Sequence, residues 1–413
     1  MLIDNTTGAG WLGLEAVRRA RDAGRGIIRH TPTLSCRSLD EFAGAPVFVK
    51  AENLQRTGSF KLRGALARLA GETAPDGVVA GSAGNHAQAL AYAARVRGIP
   101  CELFMPADAA VAKVAAVRAF GGTVRLGGAS VDDCVAAARE RAEQTGAVFV
   151  HPFDDPRIIA GQGTLGLELL EDLPDVATVI VPVGGGGLIG GVAGVLKALR
   201  PSVRVIGVQA EHCAPFPAAR RQGGAVAVPV RPTIADGIAI KRPGRLTLPL
   251  VDAWVDDLIT VAEEDVAEAM VLLLERTKLV VEGAGAVGVA ALLGGRLPRA
   301  TADGPTVVVL SGGNVDAGLL AQIANHHETH AGRRLRLFTR VPDRPGGLAG
   351  LVNAVATAGG NLRTLDHVRD AVDLPVRDTG VHIVLETRGP EHSEAIVVAL
   401  RDAGYEVDAH GAA

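Results

Sequence analysis

The chain is 413 residues long, which is enough for two or three domains and a sizeable core. Hydrophobic residues make up 48% of it and charged residues 21%, so the composition excludes a disordered chain. The formal net charge of −3, without any basic block, argues against a nucleic-acid partner or an anionic membrane surface.

Nothing in the sequence indicates targeting or a membrane span. Residues 1–13 lack a basic region followed by an apolar core, so we predict no signal peptide. The run at 176–196 carries no charge, but Pro182 and a series of glycines divide it into strand, loop and helix. The cysteines form no CxxC pair and no ligand spacing, which predicts a reduced, cytoplasmic protein. They are Cys36, Cys101, Cys134 and Cys213.

In chain order, a leading amphipathic helix is predicted at 11–24, and strands and helices alternate from residue 47 onward. Short β-rich runs separated by helices predict an α/β fold with parallel sheets covered on both faces. The predicted strands are 47–52, 77–80, 101–105, 123–126, 148–150, 178–183, 203–208 and 306–310. The predicted helices between them include 85–97, 111–120, 131–145 and 188–199.

The pattern changes in the C-terminal part. Residues 325–334 are polar and unpatterned, which predicts a linker and a domain boundary near residue 330. We therefore divide the chain into a body at 1–325, a linker at 326–334 and a module at 335–413. The order of elements in the last part predicts a ferredoxin-like βαββαβ module with its own core. Its predicted elements are 335–341, 348–358, 361–368, 380–387, 391–403 and 405–408.

A lysine stands at a predicted strand-to-helix junction. The stretch SFKLRG at 59–64 follows a predicted strand and leads into an alanine-rich helix, and it contains Lys61. There the amine lies near helix N-terminal dipoles and partly out of water, and both effects favour its neutral, nucleophilic form. Lys61 is therefore a candidate for attack on a carbonyl. An ordinary surface lysine is the alternative interpretation of this stretch taken alone.

The sequence VGGGGLIG at 183–190 lies between a predicted strand and a predicted helix. Bare glycines let backbone N–H groups approach an anion, and the helix N-terminus adds partial positive charge, so a phosphate is the expected guest. Gly185, Gly187 and Gly190 also satisfy G-x-G-x-x-G, with Glu211 about 20 residues further on, as in a dinucleotide-binding unit. From this segment alone, an NAD-dependent dehydrogenase stays open.

Two further loops follow predicted strands. In GSAGNHAQ at 81–88, small residues and helix-start amides suit a carboxylate, and the Asn85 amide could bond a phenolic oxygen. A helix N-cap is the alternative for Asn85, and a packed or solvated side chain is the alternative for His86. In LSGGN at 310–314, Ser311 could bond a ring nitrogen at a strand carboxyl end, where ligands bind in open α/β sheets. A turn serine is its alternative.

Together these segments resemble the threonine ammonia-lyase (threonine dehydratase) family of pyridoxal-phosphate enzymes, in its short form with a C-terminal ACT-like domain. The resemblance implies a fold type II, tryptophan synthase beta-like body of two subdomains, the smaller at roughly 55–155. It also implies that the glycine loop holds a cofactor phosphate rather than a dinucleotide. The matching motifs are KAENLQRTGSFKLRGA at 50–65, SAGNHAQ at 82–88, HPFDD at 151–155, GQGT at 161–164, PVGGGGL at 182–188, TIADGIA at 233–239, VEGAG at 281–285 and SGGN at 311–314.

Carried over residue by residue, the resemblance implies a site for pyridoxal 5'-phosphate. Lys61 would be the catalytic residue and would bind the cofactor as a Schiff base. The other implied cofactor contacts are Phe60 beside the ring, Asn85 at the ring hydroxyl, Ser311 at the pyridine nitrogen, and Gly184, Gly185, Gly186, Gly187 and Leu188 at the phosphate. The implied substrate-binding residues are Ser82, Ala83, Gly84, Asn85 and His86, with Gly237 and Glu282 near the site.

The implied reaction is β-elimination from L-threonine, and from L-serine, to a 2-oxo acid and ammonia. Lys61 would take the Cα proton, and the cofactor ring would act as the electron sink. Ser311 is too weak an acid to keep a pyridine nitrogen protonated, which favours elimination over transamination. Ala83 lacks the proton that a second serine gives in serine racemases. Gln209 and Pro215 stand where that branch has metal-binding carboxylates, so no metal is expected.

Several alternatives stay open. A lyase for another β-hydroxy amino acid such as 3-hydroxyaspartate, a serine racemase/dehydratase and a non-catalytic amino-acid sensor are each compatible with parts of the pattern. The motif DRPGGL at 343–348 resembles ACT domains, which implies an amino-acid or nucleotide effector, allosteric control and a dimer or tetramer. The family resemblance also implies isoleucine biosynthesis. His326 and His330 lie one helical turn apart but lack the HExxH order, so we interpret them as part of a solvated linker.

Overall fold

The computed structural model describes residues 12–297, 304–369, 374 and 377–410. Two compact units divide between Asp316 and Ala317. The first unit contains ten strands, namely β1 Thr33–Ser35, β2 Val47–Ala51, β3 Val78–Gly81, β4 Cys101–Met105, β5 Thr123–Leu126, β6 Val148–Phe149, β7 Thr178–Pro182, β8 Arg204–Ala210, β9 Asp257–Val261 and β10 Thr306–Leu310, within its described part.

Twelve α-helices cover these strands in the described part of the first unit. They are α1 Leu14–Ala23, α2 Arg37–Ala43, α3 Lys61–Arg68, α4 Asn85–Arg97, α5 Val111–Ala119, α6 Val131–Thr145, α7 Pro156–Asp172, α8 Gly187–Leu199, α9 Pro215–Gln222, α10 Thr247–Trp254, α11 Glu263–Leu272 and α12 Gly283–Leu293. The leading helix was predicted at 11–24, and Trp11 at its start lies outside the described residues.

The strands form two sheets. The larger has the order β1-β2-β10-β7-β8-β9, and all its pairs are parallel except β1 with β2. The smaller has the order β5-β4-β3-β6 and is parallel throughout. Parallel strands flanked by helices confirm the predicted α/β class. The uncharged run at 176–196 divides into β7, a loop and α8, and no helix in the described ranges is long and apolar enough to cross a membrane.

Helices α7 and α8 pack closely beside the larger sheet, together with α1, around a core of aliphatic side chains. The contact depends on glycine, because a Cβ on Gly191 would lie 2.4 Å from the carbonyl oxygen of Ile159. Likewise, a Cβ on Gly161 would lie 2.5 Å from Cα of Gly64, where α7 meets α3. These close approaches place the start of α3 against the body of the unit. The described cysteines are all buried and none forms a disulfide.

The second unit begins with a helix and continues in the predicted strand–helix order. A four-stranded antiparallel sheet has the order β12-β13-β11-β14, and its apolar core lies between that sheet and two helices. This confirms a separate C-terminal antiparallel sheet domain. The elements are α13 Ala317–His330, β11 Arg334–Pro342, α14 Gly347–Thr357, β12 Asn361–Val368, β13 Asp378–Glu386, α15 Pro390–Asp402 and β14 Val407–His410.

The structure differs from the sequence expectation at 326–334. Residues 326–330 were predicted as linker, but they form the C-terminal part of α13, and the two units divide at residue 316 instead. Residues 326–330 read HHETH, so this end of α13 has no apolar stripe in the sequence, and the one buried residue of the helix is Ile323. Local bonds support it instead, such as Thr329 Oγ1 donating to the Asn325 carbonyl oxygen at 2.8 Å. A polar helix of this kind gives no periodic signal.

Candidate active site

A cavity of about 630 Å³ opens at the carboxyl ends of β3, β7 and β10, between the two sheets of the first unit. This is the edge at which open α/β sheets bind ligands. The structure brings all of the site residues predicted from the sequence to this one cavity. Its walls include Phe60, Lys61, Ser82, Ala83, Gly84, Asn85, His86, Gly184, Gly185, Gly186, Gly187, Leu188, Gly237, Glu282 and Ser311.

Lys61 is the first residue of α3, and its side chain runs along the cavity wall. Its Nζ donates to the carbonyl oxygen of Pro152 at 2.9 Å and lies 5.2 Å from the centroid of the Phe60 ring. Burial lowers the pKa of Lys61 from 10.5 to about 8, although the nearby Glu282 carboxylate acts to raise it. The neutral amine, which is the nucleophilic form, is therefore accessible near neutral pH.

The segment before Lys61 is held to the end of β10 by backbone bonds. Ser59 pairs with Gly312 in an antiparallel bridge, and the Phe60 N–H donates to the Ser311 carbonyl oxygen at 3.1 Å. The Gly313 N–H donates in turn to the Gly58 carbonyl oxygen at 2.9 Å. Because of these bonds, Lys61 and Ser311 keep fixed positions on adjoining walls of the cavity.

Lys61→Met is expected to stabilise the cofactor-free protein at neutral pH. Because folding lowers the pKa of Lys61 from 10.5 to about 8, the folded state disfavours the charged amine. This penalty is full below pH 8 and disappears as the pH rises through 10.5, so the variant should gain about 2 kcal/mol at pH 7 and almost nothing at pH 10.5. Urea unfolding at both pH values measures the difference.

The control for this experiment is Lys278→Met, which replaces a lysine exposed on the surface. It should change the free energy of unfolding only slightly, and equally at the two pH values. A gain in Lys61→Met that did not depend on pH would indicate better apolar packing instead of a charge penalty.

The glycine loop connects β7 to α8. Gly186 has φ +90°, which L side chains rarely adopt, and α8 begins at Gly187. A Cβ on Gly185 would lie 2.4 Å from the Phe153 ring, so this turn admits no side chain. Gly184–Gly187 line the cavity at the start of α8. Bare backbone at a helix N-terminus is an arrangement suited to a phosphate.

The orientation of the Asn85 amide is set by two neighbours. Its Oδ1 accepts from Nδ2 of Asn314, and its Nδ2 donates to Oε1 of Glu282 at 2.6 Å. Asn314 also donates through Nδ2 to the Thr57 carbonyl oxygen at 3.0 Å and through its backbone N–H to Oε2 of Glu282 at 3.2 Å. This leaves the second Nδ2 hydrogen of Asn85 for a ligand, which must then be an acceptor. Asn85 is not an N-cap, since Gly84 holds that position in α4.

Glu282 is 5% exposed, and burial raises its pKa to about 7. The carboxylate of Asp236 acts in the same direction, whereas the hydrogen bonds from Asn85 and Asn314 favour the charged form. Glu282 was predicted only as a residue near the site. Asn314 belongs to the SGGN motif, but the sequence predicted no role for it. Its position in the loop that follows β10 was the signal that could have identified it.

The two histidines of the site are neutral. Burial lowers the pKa of His86 to about 3, and its Nε2 lies 3.1 Å from the Val150 carbonyl oxygen. Burial also lowers the pKa of His151 to about 4, and its Nδ1 accepts the backbone N–H of Asp154 at 2.8 Å. His151 thereby shapes the turn that carries Pro152, the acceptor of the Lys61 amine. His151 belongs to the HPFDD motif, but the sequence predicted no role for it, because its role depends on contacts that residue spacing does not reveal.

Gln209 and Pro215, where no metal was expected, have structural roles in this chain. Gln209 is fully buried, and both ends of its amide bond backbone groups, while Pro215 begins α9. Among the described residues, no group of three or more His, Cys, Asp or Glu side chains could hold a metal ion.

The α/β body places a lysine of lowered pKa and a glycine-rich loop at a helix N-terminus on the wall of one cavity. This is the arrangement of an enzyme whose cofactor is bound by a lysine and anchored by a phosphate. The family described as "Pyridoxal-phosphate dependent enzyme" matches residues 25–312, and the chain belongs to this family.

One relative and two solved structures are similar to most of this chain. An L-threonine ammonia-lyase of Thermotoga maritima is 46% identical over 398 residues, which cover 95% of this chain and 98% of that protein. The structure of maize serine racemase has a TM-score of 0.72 at 37% identity, with 76% of this chain and 98% of that chain covered. The processed form of threonine deaminase isoform 2 from Solanum lycopersicum has a TM-score of 0.71 at 31% identity, with 78% and 93% covered.

Proposed function

We propose that the chain catalyses the pyridoxal-phosphate-dependent β-elimination of L-threonine, and of L-serine, to 2-oxobutanoate or pyruvate and ammonia. The observation that carries the proposal is the single cavity that Lys61 shares with the glycine loop and Asn85. The threonine ammonia-lyase of Thermotoga maritima, similar along 95% of the chain, supports the choice of reaction and substrate.

The cavity offers a partner for each polar part of the cofactor. The N–H groups of Gly184–Gly187 would bind the phosphate, and the remaining Nδ2 hydrogen of Asn85 would bond the ring hydroxyl oxygen as an acceptor. Ser311 would lie at the pyridine nitrogen as an uncharged hydroxyl. Bound pyridoxal phosphate supplies an electron sink for negative charge at the substrate Cα.

Lys61 is the group that moves the proton. At a pKa of about 8, its amine is neutral in a useful fraction of molecules near neutral pH, and Nζ can then accept the proton from Cα. The Pro152 carbonyl oxygen, 2.9 Å from Nζ, holds the amine on its side of the cavity. Loss of the Cα proton and the β-hydroxyl removes one water, and the released enamine takes up water and gives ammonia and the 2-oxo acid.

The start of α4 would receive the substrate carboxylate. The N-cap residue Gly84 has no side chain to occupy the first N–H groups of the helix, and Ser82 accepts the Gly84 N–H at 3.3 Å through its hydroxyl. Unused N–H groups at a helix N-terminus favour an anion. The neutral His86 adds no competing charge, so this loop selects the carboxylate through backbone groups.

Serine racemisation is the second candidate, because the maize serine racemase structure is similar over 76% of the chain. A residue on the second face of the substrate must give Cα a proton for racemisation, and Ala83 has none to give. We expect the protein to form 2-oxobutanoate from L-threonine and pyruvate from L-serine, with less than about one D-serine per hundred eliminations.

The assay follows 2-oxo acid release and chiral amino-acid analysis over a panel of L-threonine, L-serine, D-serine and 3-hydroxyaspartate. Ala83→Ser is the matched variant and should raise D-serine formation while retaining the bound cofactor. If the unchanged protein formed mainly D-serine, it would be a racemase and the proposed reaction would be wrong. If it turned over only 3-hydroxyaspartate, the proposed substrate would be wrong. A colourless protein without 2-oxo acid release would favour a non-catalytic sensor.

For the second unit we propose an ACT-like regulatory role within a homo-oligomer. Its βαββαβ order supports this role, and so does the loop before α14, in which Gly346 has φ +91° and leaves the helix start open. Titrating isoleucine, valine or AMP into the full chain during the assay, with mass determination in solution, tests both parts.

A further inference from the structure

A buried glutamine lies behind the glycine loop. Gln209, near the end of β8, is fully buried and does not line the cavity. Its Nε2 donates to the Val183 carbonyl oxygen at 3.0 Å, and its Oε1 accepts the Phe216 N–H at 3.1 Å. A single amide therefore satisfies one backbone acceptor and one backbone donor on two different segments.

The two segments, at Val183 and Phe216, both adjoin the glycine loop. Val183 is the last residue before Gly184, so its carbonyl sets the direction in which the chain enters the loop. The Phe216 ring lies directly beneath Gly186, where an added Cβ would be 2.6 Å from Cζ. Thr247 holds the same turn from a third side, through its Oγ1 and the Gly185 carbonyl oxygen at 2.6 Å.

The chemistry of the contact requires an amide. A carboxylate at position 209 could accept from Phe216 but would turn an oxygen toward the Val183 carbonyl oxygen. An apolar side chain would leave both backbone groups without this partner inside the protein. We propose that Gln209 is a positioning residue that sets the glycine loop for phosphate binding, an inference that rests on the proposed function. Because Gln209 acts through the loop, its effect should depend on whether the ligand carries a phosphate.

The test compares pyridoxal phosphate with pyridoxal, which has the same aldehyde and ring but no phosphate. Both are titrated into full-length cofactor-free protein, and absorbance reports binding at Lys61. Gln209→Met removes the amide at similar volume. We expect its dissociation constant for pyridoxal phosphate to rise at least tenfold, while the constant for pyridoxal changes less than twofold.

Gln55→Met is the matched control. Gln55 is also a buried glutamine with both amide ends on backbone groups, namely the carbonyl oxygen of Arg29 at 2.9 Å and the N–H of Arg29 at 3.0 Å. It does not line the cavity. We expect this variant to lower the melting temperature but to leave the ratio of the two dissociation constants unchanged.

Gln209→Glu is the second variant and keeps the acceptor for Phe216. It should weaken pyridoxal phosphate more than pyridoxal as well, and its measurement replaces that of Gln209→Met if the latter does not fold. Equal weakening of both ligands, or unchanged binding of both by a folded variant, overturns the inference. A failure of the unchanged protein to bind pyridoxal phosphate would overturn the proposed function instead, so the two failures are distinguishable.

Discussion

Lys61→Ala is expected to abolish 2-oxo acid formation, with a fall in turnover of at least about 10⁴-fold. The reason is that one amine has two tasks. It would hold the cofactor covalently, and it is the only group we assign to the Cα proton. Pro152 and Phe60 hold this amine at the cavity wall, and burial lowers its pKa to about 8. A methyl group at position 61 can perform neither task.

Three readouts test this expectation. The variant should show no 2-oxo acid release, no yellow cofactor band that survives gel filtration, and no pyridoxyl adduct at position 61 after borohydride reduction and peptide mapping. Lys197→Ala, which removes a lysine paired with Asp256 at 2.8 Å, is the control and should keep all three signals. An adduct at another lysine, or substantial activity in Lys61→Ala, would disprove the assigned mechanism.

Arg63→Met is expected to cost about 3–5 kcal/mol of unfolding free energy. Arg63 is 2% exposed and forms paired hydrogen bonds with two carboxylates, Glu52 at 2.8 and 2.8 Å and Glu168 at 2.6 and 2.9 Å. Its Nη1 also donates to Thr164 Oγ1 at 3.2 Å, so all five N–H groups are used. Burial acts to lower the pKa of Arg63, but the two carboxylates outweigh it and raise the pKa.

The large loss of unfolding free energy in Arg63→Met comes from the two buried carboxylates that would lose their partner. Glu52 is fully buried, and Glu168 is 7% exposed, so the variant strands two carboxylates in the interior. Lys50 lies 3.2 Å from Glu168 and donates to Asp172 at 2.8 Å, so it offsets part of that charge. We therefore expect Arg63→Lys to be less severe, at about 2–3 kcal/mol, because an ammonium cannot form two forked pairs at once.

Urea unfolding at a fixed cofactor concentration measures these losses, since bound cofactor itself adds stability. Arg19→Ala is the control. Arg19 pairs with Glu15 at 3.0 Å on the surface, where a salt bridge contributes only about 0.5 kcal/mol. A loss below about 1 kcal/mol in Arg63→Met would mean that the buried carboxylates become protonated or hydrated at little cost.

Each loop of the sequence taken alone kept an ordinary structural alternative, and only the loops together pointed to a site. SFKLRG at a strand-to-helix junction, four successive glycines after a strand and SGGN at a strand end each predicted a ligand contact, and each lies on the cavity. Strand and helix order also predicted the α/β body and the antiparallel C-terminal sheet. Choosing between phosphate and dinucleotide at Gly185 needed the order of motifs along the whole chain.

The sequence did not predict which side chains distant in the chain form hydrogen bonds with each other. Asn85 and Asn314 are 229 residues apart, yet Asn314 fixes which end of the Asn85 amide faces the cavity. The helical end of α13 was likewise missed, because polar residues stabilised by local bonds show no apolar period.

By itself, the sequence determined the order of strands and helices, the glycine-rich turn between β7 and α8, and the lysine at the start of α3. These depend on backbone conformation and hydrophobic pattern, which are local properties. Only the tertiary structure decided the pKa of Lys61, the orientation of Asn85, the forked bonds of Arg63 and the bridge of Gln209. Burial, charge and hydrogen-bond geometry depend on which distant residues meet, and no local pattern encodes that meeting.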